Sequence, residues 1–309
     1  MHAYSVIALL HAASAMTSTL PPTTTTPVQQ TTPHILTSAE IVRRAPSQGS
    51  DRRPVVVLHG LLGQKRNFRS WCAALAEAVH HKRRIVTLDL RGHGDSPHGP
   101  LEYPSMASDV LATLESLQIQ ECCLVGHSMG GKVAMACALR APALVKELCV
   151  LDMAPASYST ADGSNWKKNR ELIDALANLD LDACSGDKKR ADSLLARKVL
   201  DPSLRAFALT NLQLRDEQLS WQFDLDGIVR DLDNIARWPT LPGTYNGDTL
   251  FVKGQRSRYV RSIHLQEISA KFPRFTLQSI DDCGHWVHAE KPQETCDVVR
   301  EFLDRDDVE

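Results

Sequence analysis

Several features are missing from this sequence, and each absence removes a class of function. Charge of one sign does not dominate: 35 Lys and Arg face 37 Asp and Glu over 309 residues, a net charge of -2 with histidine neutral. The cations are scattered along the chain, so nucleic acid finds no electrostatic footprint and is not an expected partner. Apolar runs are short. Val6 to Leu10 falls well under the roughly 20 residues that a membrane-crossing helix requires, so no integral membrane span is expected. No zinc-site spacing of cysteine and histidine appears; His285 and His288 have a suggestive separation but no evident third ligand, and no metal is expected. The glycine spacing and the Lys-Ser/Thr pair of a phosphate-binding loop are also absent, and no cofactor is implied. No internal repeat is visible.

Residues 1–33 lack what would give them an address. They contain no arginine, the first being Arg43, and no acid precedes Glu40. A mitochondrial presequence should carry arginines, and a secretory signal a basic start, although Ala13-Ser14-Ala15 resembles a cleavage site. This stretch reads as a leader followed by a Thr/Pro-rich linker with no fold of its own, and residues 305–309 read as a tail. Of the eight cysteines, Cys122, Cys123, Cys137 and Cys149 lie in apolar runs, where a free thiol acts as a small hydrophobe. That usage favours a reducing compartment.

What is present is an ordinary globular composition, 43% hydrophobic and 23% charged, enough for one α/β domain with an insertion. Residues 121–139 read ECCLVGHSMGGKVAMACAL: an apolar run, a glycine-flanked serine, then an alanine-rich segment of helical periodicity. This is the pattern of a nucleophile elbow. The turn has no room for side chains at Gly126 and Gly130, it lifts the Ser128 hydroxyl above a sheet edge, and it sets the Met129 N–H at a helix start.

Around it, apolar runs alternate with amphipathic segments. Strands are expected at Val55 to Leu58, Arg84 to Leu90, Leu148 to Leu151, Thr249 to Lys253 and Phe275 to Ile280. Helices are expected at Asn67 to Val79, Tyr103 to Leu117, Val260 to Phe272 and Pro292 to Leu303. The alternation predicts a mostly parallel sheet covered on both faces. Residues 34–154 and 248–304 form its two parts, and 155–247 an all-helical lid inserted before the last two strands. The lid aromatics Trp166, Phe207, Trp221, Phe223 and Trp238 either cover the mouth of a site or pack the lid's own core.

Five motifs occur in order: HGLLG at 59–63, DLRGHGDS at 89–96, GHSMGG at 126–131, VLDMAP at 150–155 and GHWVHAEKP at 284–292. On these the chain resembles the α/β-hydrolases. More narrowly it resembles the abhydrolase-domain-containing protein 11 group, related bacterial acyl-ester hydrolases and fungal mitochondrial ethanol acetyltransferases. The resemblance implies an α/β-hydrolase fold and acyl chemistry on a small-molecule ester or thioester. It also implies a mitochondrial location, with the cytosol, or secretion through the weak signal-like leader, as alternatives.

Serine-based acyl transfer needs a base, an acid that orients it, and two oxyanion donors. Ser128 is the expected nucleophile. His285, after the last strand, stands where this fold carries its base, whereas His93 and His288 read as solvent-exposed loop histidines and His127 as packing beneath the turn. The donors are the N–H groups of Met129 and Leu61. The turn after the strand following the lid, LFVKGQRSRYV, offers no carboxylate. The resembling esterases and acetyltransferases place their acid one strand earlier, which implies Asp152, with Asp226 in the lid as the alternative. His59, Gly60, Trp166, Trp221 and Trp286 are the candidate substrate contacts. Three activities fit: a serine esterase or thioesterase, an acyltransferase that passes the acyl group to an alcohol, and a non-catalytic binding or assembly protein on the same scaffold.

Overall fold

The computed structural model describes residues 32–41 and 52–305. The expected leader up to residue 31 and the tail from residue 306 lie outside the described residues. Among the described residues, seven strands form one sheet in the order β1-β3-β2-β4-β5-β8-β9. They are β1 (Ser38–Glu40), β2 (Val55–Leu58), β3 (Ile85–Leu88), β4 (Cys122–His127), β5 (Val145–Leu151), β8 (Asp248–Gly254) and β9 (Phe275–Ile280). All pairings are parallel except that of β1, an edge strand antiparallel to β3.

The central strands are mostly β-branched or apolar because both of their faces are covered, with charged residues such as Lys146, Glu147 and Lys253 near their ends. Alternate residues serve different layers. Val56, Leu58, Leu124, Leu148 and Val150 enter one core with α2 (Tyr103–Ser116) and α3 (Met129–Arg140). Val55, Val57, Cys123, Val125, Cys149 and Leu151 enter the other with α1 (Arg69–Ala78) and α11 (Pro292–Leu303). The first turn of the expected 67–79 helix is a tighter 3-10 turn, Lys65–Phe68, in which the Gln64 N–H donates to Asn67 Oδ1 at 2.7 Å. Toward the chain's end come α9 (Leu265–Lys271) and the short α10 (Val287–Glu290).

The segment between β5 and β8 departs from the all-helical expectation. It contains α4 (Trp166–Ala177), α5 (Lys188–Leu195), α6 (Pro202–Leu209), α7 (Leu225–Arg230) and α8 (Leu232–Ala236), but also an antiparallel hairpin. Strands β6 (Leu212–Arg215) and β7 (Gln218–Trp221) flank Asp216 and Glu217, both at positive φ (48° and 63°). That pair makes the two-residue turn whose twist matches a hairpin. Leu212 and Leu219 pack with Cys184 and Ala191 in a small separate core. All eight cysteines are buried and free. Among the described residues, no helix is long and apolar enough to cross a membrane.

Candidate active site

The carboxyl ends of β4, β5 and β9 bring three expected residues together. Ser128 follows β4 at φ 54° and ψ -119°, a backbone conformation that costs a non-glycine residue strain and is held by its surroundings. Its N–H donates to the Leu151 carbonyl at 3.1 Å, fastening the turn to the neighbouring strand. A Cβ at Gly126 would run into the Gly130 carbonyl, and one at Gly130 into the carbonyls of Leu58 and His59, so both positions need glycine. The Met129 N–H opens α3, where first-turn amides lack a partner within the helix.

His285 lies between Ser128 and Asp152. Its Nε2 is 2.9 Å from Ser128 Oγ, and its Nδ1 is 2.7 Å from Asp152 Oδ2. With Nδ1–H directed at the carboxylate, Nε2 presents a lone pair to the hydroxyl, an arrangement able to take the serine proton. Asp152 is fully buried, sits at φ 51°, and receives further donors: the Gly254 N–H on Oδ1 at 3.1 Å and the Ser257 hydroxyl on Oδ2. Gly254 ends β8, and Ser257 comes from the turn after it, which carries no acid. Ser257 was not apparent from sequence, because its partner is distant in the chain. The Tyr259 and Trp286 rings flank the imidazole, with centroids 4.3 and 5.6 Å away. Asp226 is exposed on the first turn of α7, and His285 spends both ring nitrogens elsewhere.

The other histidines of this region are buried, which corrects the expectation of solvent-exposed loops for His93 and His288. His93 Nδ1 donates to the Arg91 carbonyl at 3.0 Å, and its Nε2 accepts from the Leu62 N–H at 3.2 Å. His59 Nδ1 donates to the Gly60 carbonyl at 2.8 Å, and its Nε2 accepts from the Leu90 N–H at 3.0 Å. The two rings thus tie the HGLLG loop, with Leu61 in it, to the turn after β3. Each donates with one nitrogen and accepts with the other, so each is neutral. Burial depresses both pKa values, that of His93 to about 3. His127 packs beneath the elbow as expected and donates from Nε2 to the His285 carbonyl at 3.0 Å. His288 stacks on Phe68 at 4.1 Å, and burial lowers its pKa to about 3.

Two cavities meet at Ser128. The larger, about 530 Å³, is lined by His285, Trp286, Leu204 and Phe207, and also touches His59 and Gly60. The smaller, about 260 Å³, is lined by Met129, Met153, Trp166 and Tyr259. Leu61 and Asn169 border both. Trp286, Trp166 and Phe207 therefore face a cavity. Trp221 stacks on Phe223 at 5.2 Å and Trp238 packs on Tyr103 at 6.4 Å, so these belong to packing.

Known proteins resemble this chain over most of its length. The chain is 40% identical over 250 residues to "sn-1-specific diacylglycerol lipase ABHD11" of Mus musculus, covering 81% of this chain and 80% of that protein. It is 33% identical over 283 residues to a "Probable alcohol acetyltransferase" of Saccharomyces cerevisiae, covering 84% and 79% respectively. Among solved structures, "Marine microorganism esterase" superposes with a TM-score of 0.80 at 30% identity, over 87% of this chain and 99% of that one. The model of the alpha/beta hydrolase family matches residues 55–298, and the chain belongs to that family.

Proposed function

We propose that this protein is a serine hydrolase of carboxylic esters or thioesters, working through an acyl-enzyme on Ser128. The observation that carries the proposal is the continuous contact Ser128 Oγ–His285 Nε2, His285 Nδ1–Asp152 Oδ2, at 2.9 and 2.7 Å. Ser128 Oγ attacks the acyl carbon as His285 Nε2 takes its proton, Asp152 holds the ring and offsets its positive charge, and the N–H groups of Leu61 and Met129 receive the oxyanion. His285 then returns the proton to the departing oxygen or sulfur, and water repeats the sequence to free the acid. The family membership and the esterase and lipase relatives support a hydrolytic enzyme over a non-catalytic partner.

A second reading has an alcohol, not water, attack the acyl-enzyme, and the resemblance to a yeast acetyltransferase favours it. The segment 155–247 serves in either case as a lid. Eight buried free cysteines support a reducing compartment, mitochondrial or cytosolic. The test is labelling by a fluorophosphonate, expected at Ser128 and lost in Ser128→Ala, followed by product analysis with an aryl ester in the presence of ethanol. Free acid as the main product supports hydrolysis, and ethyl ester supports transfer. Labelling that persists in Ser128→Ala sinks both.

A further inference from the structure

The two cavities at Ser128 differ in a way that bears on which half of the substrate each receives. When the acyl–oxygen bond breaks and the bond from the acyl carbon to Ser128 Oγ forms, the proton taken from Ser128 must pass from His285 Nε2 to the departing atom. The leaving group therefore lies on the side of His285. Only the larger cavity is lined by His285, together with Trp286 and His288. The smaller cavity lacks His285 and has Met129, the elbow donor residue, in its wall, so it extends from the acyl carbon away from the base.

The smaller cavity also has a stiff wall. Met153, Tyr158, Trp166, Ile235 and Tyr259 are all buried. Tyr158 Oη donates to the Tyr259 carbonyl at 2.7 Å and accepts from the Ala154 N–H at 3.1 Å, while Asn169 Nδ2 donates to Tyr259 Oη at 2.9 Å. Lys132 on α3 pins the lid side of this wall. Its buried ammonium reaches the carbonyls of Ile235, Ala236 and Arg237 at 3.4, 2.8 and 3.0 Å, matching its three N–H groups to the carboxyl end of α8. The Tyr158 and Tyr103 rings lie 4.8 and 5.3 Å from that nitrogen and supply cation–π attraction. A wall hydrogen-bonded in this way does not swell to admit a longer chain. The larger cavity is bordered on one side by half-buried Leu204, Phe207 and Trp286, whose side chains are less tightly held.

We infer that the smaller cavity holds the acyl group and the larger one the leaving group, so that the enzyme selects short acyl groups carried on bulky apolar or aromatic alcohols or thiols. The inference rests on the Ser128 acyl-enzyme reading. The smaller cavity offers the acyl group little room between Trp166, Met153 and Tyr259. Trp166 and Met153 are then the residues that set acyl length, and Phe207 one that senses the leaving group.

The test uses the full chain and a series of aryl esters from acetyl to dodecanoyl, with fluorophosphonate labelling of Ser128 as the control for folding. For the unsubstituted protein, kcat/KM should be greatest for the shortest acyl groups and fall about 10-fold or more along the series toward dodecanoyl, as expected when methylenes exceed a fixed pocket. Trp166→Leu and Met153→Ala should each move the optimum to longer acyl groups. Phe207→Ala should leave that optimum in place and change the ratio of naphthyl to ethyl ester turnover about 10-fold. With labelling intact, a flat acyl profile, or an acyl optimum moved by Phe207→Ala and by neither of the others, overturns the assignment of the cavities. Absence of labelling in the unsubstituted protein overturns the acyl-enzyme reading itself.

Discussion

Ser257 donates its hydroxyl to the same Asp152 oxygen that faces His285 Nδ1, so two donors from different parts of the chain converge on Oδ2. The turn after β8, which carries no acid, thereby supports Asp152, the proposed acid just after β5. Hydrogen bonds to a charged group are worth ~1.5–3 kcal/mol, and this one also fixes which oxygen meets the imidazole. Ser257→Ala is expected to lower kcat for an aryl ester about 10-fold with little change in KM, measured by steady-state kinetics. An unchanged kcat would count against a positioning role.

Replacing the carboxylate itself should have a much larger effect. Asp152→Asn keeps the shape but leaves Nδ1 facing a group that no longer favours the correct tautomer, and a loss on the order of 10⁴ in kcat is expected. Asp226→Asn, at an exposed site on α7, should keep most of the turnover. The opposite ranking of these two variants would remove Asp152 from the mechanism.

The elbow glycines leave no slack. At Gly126 the obstructing atom is the backbone carbonyl of Gly130, which a rotamer change cannot move. Gly126→Ala is expected to destabilise the fold by ~3 kcal/mol or more, or to prevent its formation, as seen in thermal unfolding followed by circular dichroism. A melting temperature within a degree or two of the unsubstituted protein would contradict the packing described.

Acid should weaken the fold through its buried histidines. His59, His93, His127 and His288 all have pKa values lowered chiefly by burial, those of His93 and His288 to about 3, against about 6.5 in the unfolded chain. Between these limits the unfolded state binds more protons. Stability is therefore whole above pH ~6.5 and declines as pH falls toward 3, by at most ~1.4 kcal/mol per unit for each histidine. Urea midpoints should drop clearly from pH 7 to pH 5, and His288→Phe, which keeps a ring on Phe68, should shallow that slope. Equal midpoints at both pH values would refute the neutral, buried assignment.

Much of this was readable before the structure. The core strands were legible because they are short apolar runs ended by glycine, and Ser128 and His285 because they stand at strand ends with glycine beside them. The hairpin at β6 and β7 was not, since Asp216-Glu217 is not the usual turn pair and each strand exposes polar residues. The burial of His93 and His288 was equally hidden. A loop histidine reads as polar until the fold shows the Leu62 amide aimed at one ring and Phe68 beneath the other. Ser257 and Lys132 escaped for a related reason: a serine in a turn and a lysine in a helix are ordinary, and their importance comes from a carboxylate and three carbonyls far away in sequence.

The position of Asp152 just after β5 sets the order in which the proposed site is laid out along the chain. The proposed nucleophile, acid and oxyanion donors all precede residue 155, and the proposed base, His285, follows β9. On the proposed mechanism, a chain that ended before β9 would keep Ser128 and Asp152 but lack the base that activates the serine.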